Sequence, residues 1–107
     1  EKVIQIVSNY VDAHNNLGIV FKELGELQKA KSCYEKAIQI NPDYADAYDN
    51  LGSILITFKK FDEAIKIYQQ ALRLKPGDKF ISHVLSALYG NTTKTAPKEY
   101  VVEYFLI

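Results

Sequence analysis

The side chains of this sequence that could do chemistry are few and far apart. Cys33 is the single cysteine, and His14 and His83 are the two histidines. No Ser-His-Asp or Cys-His set stands at a suggestive spacing, so the residues spell no active site. A lone cysteine makes no internal disulfide, and no Cys/His spacing completes a zinc site. Cys33 precedes Tyr34 on a helical stripe and reads as a small packing residue; a reactive thiol would need a basic neighbour to lower its pKa. His14 reads as a packing residue in an aromatic slot. Asn91-Thr92-Thr93 fits a glycosylation sequon, read as chance because no secretory signal precedes it. No cofactor and no metal is implied.

The polar residues that do recur are of a binding kind. Asn16 and Asn50 each stand immediately before Leu-Gly, and Asp12 and Asp46 each stand five residues before that pair. An asparagine side chain offers both a donor and an acceptor and can bond bidentately to a peptide backbone. It can equally bond to neighbouring helices and hold a stack together, and the two roles can coexist.

These pairs belong to an internal repeat. A shift of 34 lays residues 11–44 on 45–78, matching Asp12/Asp46, Ala13/Ala47, Leu17/Leu51, Gly18/Gly52, Ala30/Ala64, Tyr34/Tyr68, Ala37/Ala71 and Pro42/Pro76. Backwards, residues 1–10 lie on 35–44, and forwards Leu85 falls on Leu51. Each unit reads as two helices. Ala13, Leu17, Val20, Phe21 and Leu24 recur at helical spacing as the packing stripe of the first, and Leu27, Ala30, Tyr34, Ala37 and Ile38 as that of the second. Gly25 supplies a left-handed stop, and Asn41-Pro42 ends the second helix because the residue before proline is pushed out of helical geometry. Lys59 stands where the repeat demands Gly25's equivalent, so that turn is expected to be reshaped. Asp78 is placed to cap the helix after it. Gly18 and Gly52, with the alanines of the second helices, allow close approach, and adjacent units share a continuous core.

The spacing resembles the tetratricopeptide repeat: His14, Leu17-Gly18, Phe21, Ala30, Tyr34, Pro42 in one copy and Tyr48, Leu51-Gly52, Leu55, Ala64, Tyr68, Pro76 in the next. The resemblance implies an all-α, right-handed superhelical array of antiparallel helix pairs. The expected organisation is an array over 1–90, followed over 91–107 by a linker and a C-terminal amphipathic helix. Within the array, 1–10 is the second helix of a partial repeat, 11–44 and 45–78 are full repeats, and 79–90 is the first helix of a degenerate third. The first helix of each unit would form a concave wall on which a partner lies. Groove residues are then those off the packing stripe: Asp12, Asn15, Asn16, Ile19, Lys22 and Glu23, with Asp46, Asp49, Asn50, Ser53, Ile56 and Thr57. The carboxylate clamp found in some such arrays needs several groove lysines and an arginine. Here Asp12, Asp46 and Asp49 make the wall acidic, so a neutral or basic extended segment is the expected ligand.

The tail carries a second resemblance. Ala96, Pro97, Tyr100, Val101 and Phe105 are similar to the junction between such repeats and an S-adenosylmethionine-dependent methyltransferase domain in bacterial proteins. That implies an alternative role as an accessory region positioning substrate or assembly. Tyr100, Val101, Tyr104 and Phe105 share one helical face, readable as an intramolecular cap or as a self-association surface that would make a homo-oligomer through the chain ends.

Composition agrees with a non-catalytic protein–protein interaction scaffold. Thirteen basic residues balance thirteen acidic ones among 107, against the basic surplus that phosphate binding requires, so no nucleic-acid partner is expected. No apolar run reaches the roughly 18 residues that span a bilayer, so neither is a membrane. A cytoplasmic location is expected. The sequence has no methionine, and residue 1 falls inside a unit, as expected of a chain cut from a longer one.

Overall fold

A computed structural model describes residues 2–91. Five helices follow one another: α1 (Lys2–Glu23), α2 (Leu27–Ile40), α3 (Ala45–Thr57), α4 (Phe61–Leu74) and α5 (Lys79–Asn91). Each packs mainly on its sequence neighbours, with α1 also touching α3. The result is a slab of stacked helix pairs measuring 47 × 33 × 18 Å, as expected where every connection is short.

The helix ends follow from the punctuation. Gly25 takes φ +80° after α1, and its N–H donates to the Lys22 carbonyl while that of Glu26 donates to Phe21. The turn after α3 repeats this bond for bond, Lys59 N–H to Ile56 and Lys60 N–H to Leu55, with Lys59 at φ 61°. The expected reshaping does not occur: a lysine simply adopts the left-handed conformation, at on the order of 1 kcal/mol. α2 stops at Ile40 before Pro42, and the Tyr48 hydroxyl donates to the Pro42 carbonyl at 2.8 Å. Asp78 caps α5 as expected, accepting from the Ile81 N–H at 3.0 Å.

The core is built from large residues lodged against glycine. A β-carbon on Gly18 would sit 2.5 Å from the Tyr34 ring, and one on Gly52 2.5 Å from the Tyr68 ring. Both tyrosines are buried, with Leu51, Ile54, Leu55, Ile65, Ile81 and Leu85.

Two expectations are corrected here. Residues 2–10 are not a separate second helix but the opening of the 22-residue α1. Where α2 meets Asn41-Pro42, the equivalent residues are Val7-Ser8, and neither breaks a helix. The stripe assigned to α1 is also largely uncovered. Leu17, Val20 and Leu24 are 45, 49 and 70 % exposed, and Ala13 is exposed too. Ala47, Leu51 and Ile54, the counterparts of Ala13, Leu17 and Val20, are buried where α2 packs on α3.

Candidate functional site

α1 and α3 lie side by side, and polar side chains stitch the seam between them. Asn50 donates through Nδ2 to Oδ1 of Asn15 at 3.0 Å. One turn further on, Lys22 Nζ donates to Ser53 Oγ at 3.2 Å. At the other end of the seam, Tyr44 donates its hydroxyl to Asp12 at 2.5 Å. Burial, then the bond to Asp12 and that residue's charge, push the Tyr44 phenol up to about 12, so it stays a donor. Lys75, from the turn after α4, reaches Asp46 at 3.2 Å.

The acids dominate this face. Asp49 is half-buried, and desolvation, the largest cause, raises its pKa. The charges of Asp78 and Asp46 push the same way, while Lys75 and Lys22 oppose them. Its charge also adds to burial in pushing Tyr68 up to about 12. The wall therefore holds a carboxylate in a setting that disfavours its charge.

Of the residues expected in the groove, Asn15 pairs with Asn50 and Lys22 with Ser53, Asp12 and Asp46 are held by Tyr44 and Lys75, and Asp49 feels the charges of Asp46 and Lys22. Asn15 is 5 % exposed, so it is a structural rung rather than an open contact. Ile19 and Ile56 pack partly against the core. Thr57 bonds back to the Ser53 carbonyl of its own helix at 3.2 Å, and Glu23 is exposed at the end of α1. Asn16 is exposed and does not pair with Asn50, whose amide reaches back to Asn15 instead. Tyr100, Val101, Tyr104 and Phe105 lie outside the described residues.

α5 carries none of the expected groove residues. α5 places Phe80 and His83 at the positions of Asp46 and Asp49; both are exposed, Phe80 by 62 %. The 34-residue offset pointed to them, but identity had faded there and left only the core positions recognisable. Tyr44 and Lys75 were missed as well, and Asp78 was read only as a helix cap, because turns carry them and helical periodicity does not register turns. Among the described residues no group of three or more His, Cys, Asp or Glu converges to hold a metal.

A stack of antiparallel helix pairs, with polar side chains bonded across the seam of α1 and α3, defines a class of superhelical repeat proteins. The family model of the tetratricopeptide repeat matches residues 10–76, and this chain belongs to that family. No curated relative aligns with it in sequence. Among solved structures it is similar to the crystal structure of MamA (TM-score 0.78, 28 % identity, 89 % of this chain and 54 % of that one). It is also similar to YrrB, described as a tetratricopeptide repeat protein with an unusual peptide-binding site (0.74, 21 %, 86 % and 47 %). A third is the first repeat domain of Spaghetti (RPAP3) bound to the HSP90 peptide SRMEEVD (0.74, 23 %, 78 % and 68 %). The chain thus spans about half the length of MamA and of YrrB. The stretch similar to a methyltransferase junction lies outside both the described residues and those the family model matches.

Proposed function

We propose that this chain is a non-catalytic interaction scaffold whose α1–α3–α5 wall holds an extended, neutral or basic protein segment. The observation that carries the reading is the ionisable wall: Asp12, Asp46, Asp49 and Asp78 around the Asn15–Asn50 rung, with Asp49 retained where its charge is penalised. A lysine or arginine laid along this wall would relieve the like-charge repulsion, and the exposed Asn16 amide offers backbone contacts. Phe80 and His83 extend the wall with an apolar platform and a polar edge. The RPAP3 domain in its solved complex holds an acidic peptide; this wall, with Asp12, Asp46 and Asp49 in the place of a clamp's cations, would repel one.

An array of extended peptides of graded charge tests the reading. Basic and neutral members are captured, capture weakens with salt as exposed charge pairs are screened, and Asp46→Lys with Asp49→Lys weakens it at least ~tenfold. Capture indifferent to that double substitution, or confined to acidic peptides, would sink the proposal.

A further inference from the structure

A cleft of about 200 Å³ opens between α2 and α4, with α3 beneath it. Leu51 and Leu55 of α3 form its floor, and Ile67 of α4 gives it an apolar side. The rim is made of long charged side chains, Lys31 and Glu35 on α2 and Glu63 and Lys66 on α4. Lys31 pairs along its own helix with Glu35 at 3.1 Å, and among the described residues no ion pair closes the opening from α2 to α4. All three helices lie in the middle of the chain, and each packs on its neighbours on both sides.

The repeat register shows where the space comes from. Residues 21, 55 and 89 are equivalent, and they are Phe21, Leu55 and Tyr89. Only the middle unit has an aliphatic side chain there. One unit on, the Tyr89 ring is buried, and its hydroxyl accepts from Nε2 of Gln69 at 2.8 Å. Gln69 is the equivalent of Glu35. The cleft therefore sets Leu55 and Glu35 where the following unit sets a phenol and the side chain that bonds it. What Leu55 lacks, relative to its equivalents, is a ring.

We propose that this cleft takes the side chain of a tyrosine carried by a partner protein, the ring resting on Leu51, Leu55 and Ile67 and the hydroxyl donating to Glu35. Size fits: an apolar cavity of about 150 Å³ holds a benzene ring, so this cleft has room for the ring and its hydroxyl. The floor is only 4 and 2 % exposed at Leu51 and Leu55, and the rim side chains swing on their flexible stems to admit the ring. The polar end fits as well. An ionised carboxylate only accepts, and a phenol supplies the proton in a charge-assisted bond. The molecule already makes such a pair, the Tyr44 hydroxyl donating to Asp12. Two carboxylate oxygens let Glu35 keep Lys31 while it receives the phenol. A leucine or phenylalanine would cover the floor and leave that bond unmade. The site lies apart from the α1–α3 seam and is independent of what binds there.

Nuclear magnetic resonance of the methyl-labelled whole chain, titrated with p-cresol, tests this. The methyl signals of Leu51, Leu55 and Ile67 shift and saturate. The methyl ether of p-cresol, with the same ring and no proton to donate, binds about tenfold more weakly. Glu35→Ala, at an exposed position, erases that difference. Leu55→Tyr fills the cleft from within and abolishes the shifts, while circular dichroism and thermal unfolding stay those of a folded chain, since the same register holds Phe21 and Tyr89. Acetyl-tyrosine amide moves the same methyl signals as p-cresol. Methyl signals that stay still, shifts that survive Leu55→Tyr, equal affinity for p-cresol and its ether, or p-cresol binding where acetyl-tyrosine amide does not would each overturn the proposal.

Discussion

Asp49 is the residue where stability and binding pull apart. Its folded pKa lies above the ordinary 3.8 because burial and the neighbouring Asp78 and Asp46 disfavour the carboxylate. An acid raised in the fold binds its proton more tightly folded than unfolded. Its contribution to stability is therefore fullest below 3.8 and is lost as the pH climbs through the raised folded value. Asp49→Asn should accordingly raise the melting temperature at pH 7, and the gain over wild type should shrink toward zero as the pH falls below 3.8, followed by thermal unfolding across that range. The same substitution should weaken capture of basic peptides. Asn15, the equivalent residue one unit earlier, is already an asparagine and is nearly buried, so a neutral side chain fits this register. The chain keeps a costly charge at one of the two positions, which is the pattern expected where the charge meets a partner. Position 18 of the repeat register shows the opposite economy: Gly18 and Gly52 bring no chemistry and exist to let a tyrosine ring approach. Their spacing made that role legible, whereas nothing in the spacing distinguished the buried Asn15 from the exposed Asn16.

At the level of elements, the turns explain both what was legible and what was not. Gly25 and Asn41-Pro42 announce helix ends because their backbone preferences differ sharply from those of other residues. Lys59 hides an identical turn. The two hydrogen bonds around it, matching those around Gly25, outweigh the steric cost of a lysine at φ 61°. Lys59→Gly should therefore stabilise the chain by up to about 1 kcal/mol, the released strain being offset in part by the greater freedom of glycine in the unfolded chain; urea unfolding measures it. A loss of stability would mean that the lysine side chain contributes more than its backbone costs. The start of α1 was misread for a related reason. Sequence similarity between 1–10 and 35–44 is real, but Ser8 stands where Pro42 terminates α2. Without that residue the chain continues as helix into Tyr10 and Val11.

At the level of the whole molecule, stability is distributed by neighbour contacts rather than gathered in one centre. α3 and α4 are covered on both sides, whereas α1 has an open outer face. Amide exchange should be slower in α3 and α4 than in α1, whose Leu17, Val20 and Leu24 are exposed, and an ordering that protects α1 above α3 would run against this picture. The fold class was legible in the sequence because every unit repeats the same demand for small residues opposite aromatic ones. The open face of α1 was not, since periodicity reports which residues share a stripe and is silent on whether anything covers it.

Gly52 under the Tyr68 ring, like Gly18 under that of Tyr34, has a bearing on how such a chain can change over time. The lock closes between the two helices of one unit, and the charge of Asp49 is felt at the Tyr68 phenol. The exposed Asp46 can be exchanged without touching the lock, whereas the lock admits almost no exchange at all. The molecule thus separates a part that must be inherited unchanged from a part free to vary, and a new binding preference can arise by a few substitutions on one surface while the frame beneath stays the same.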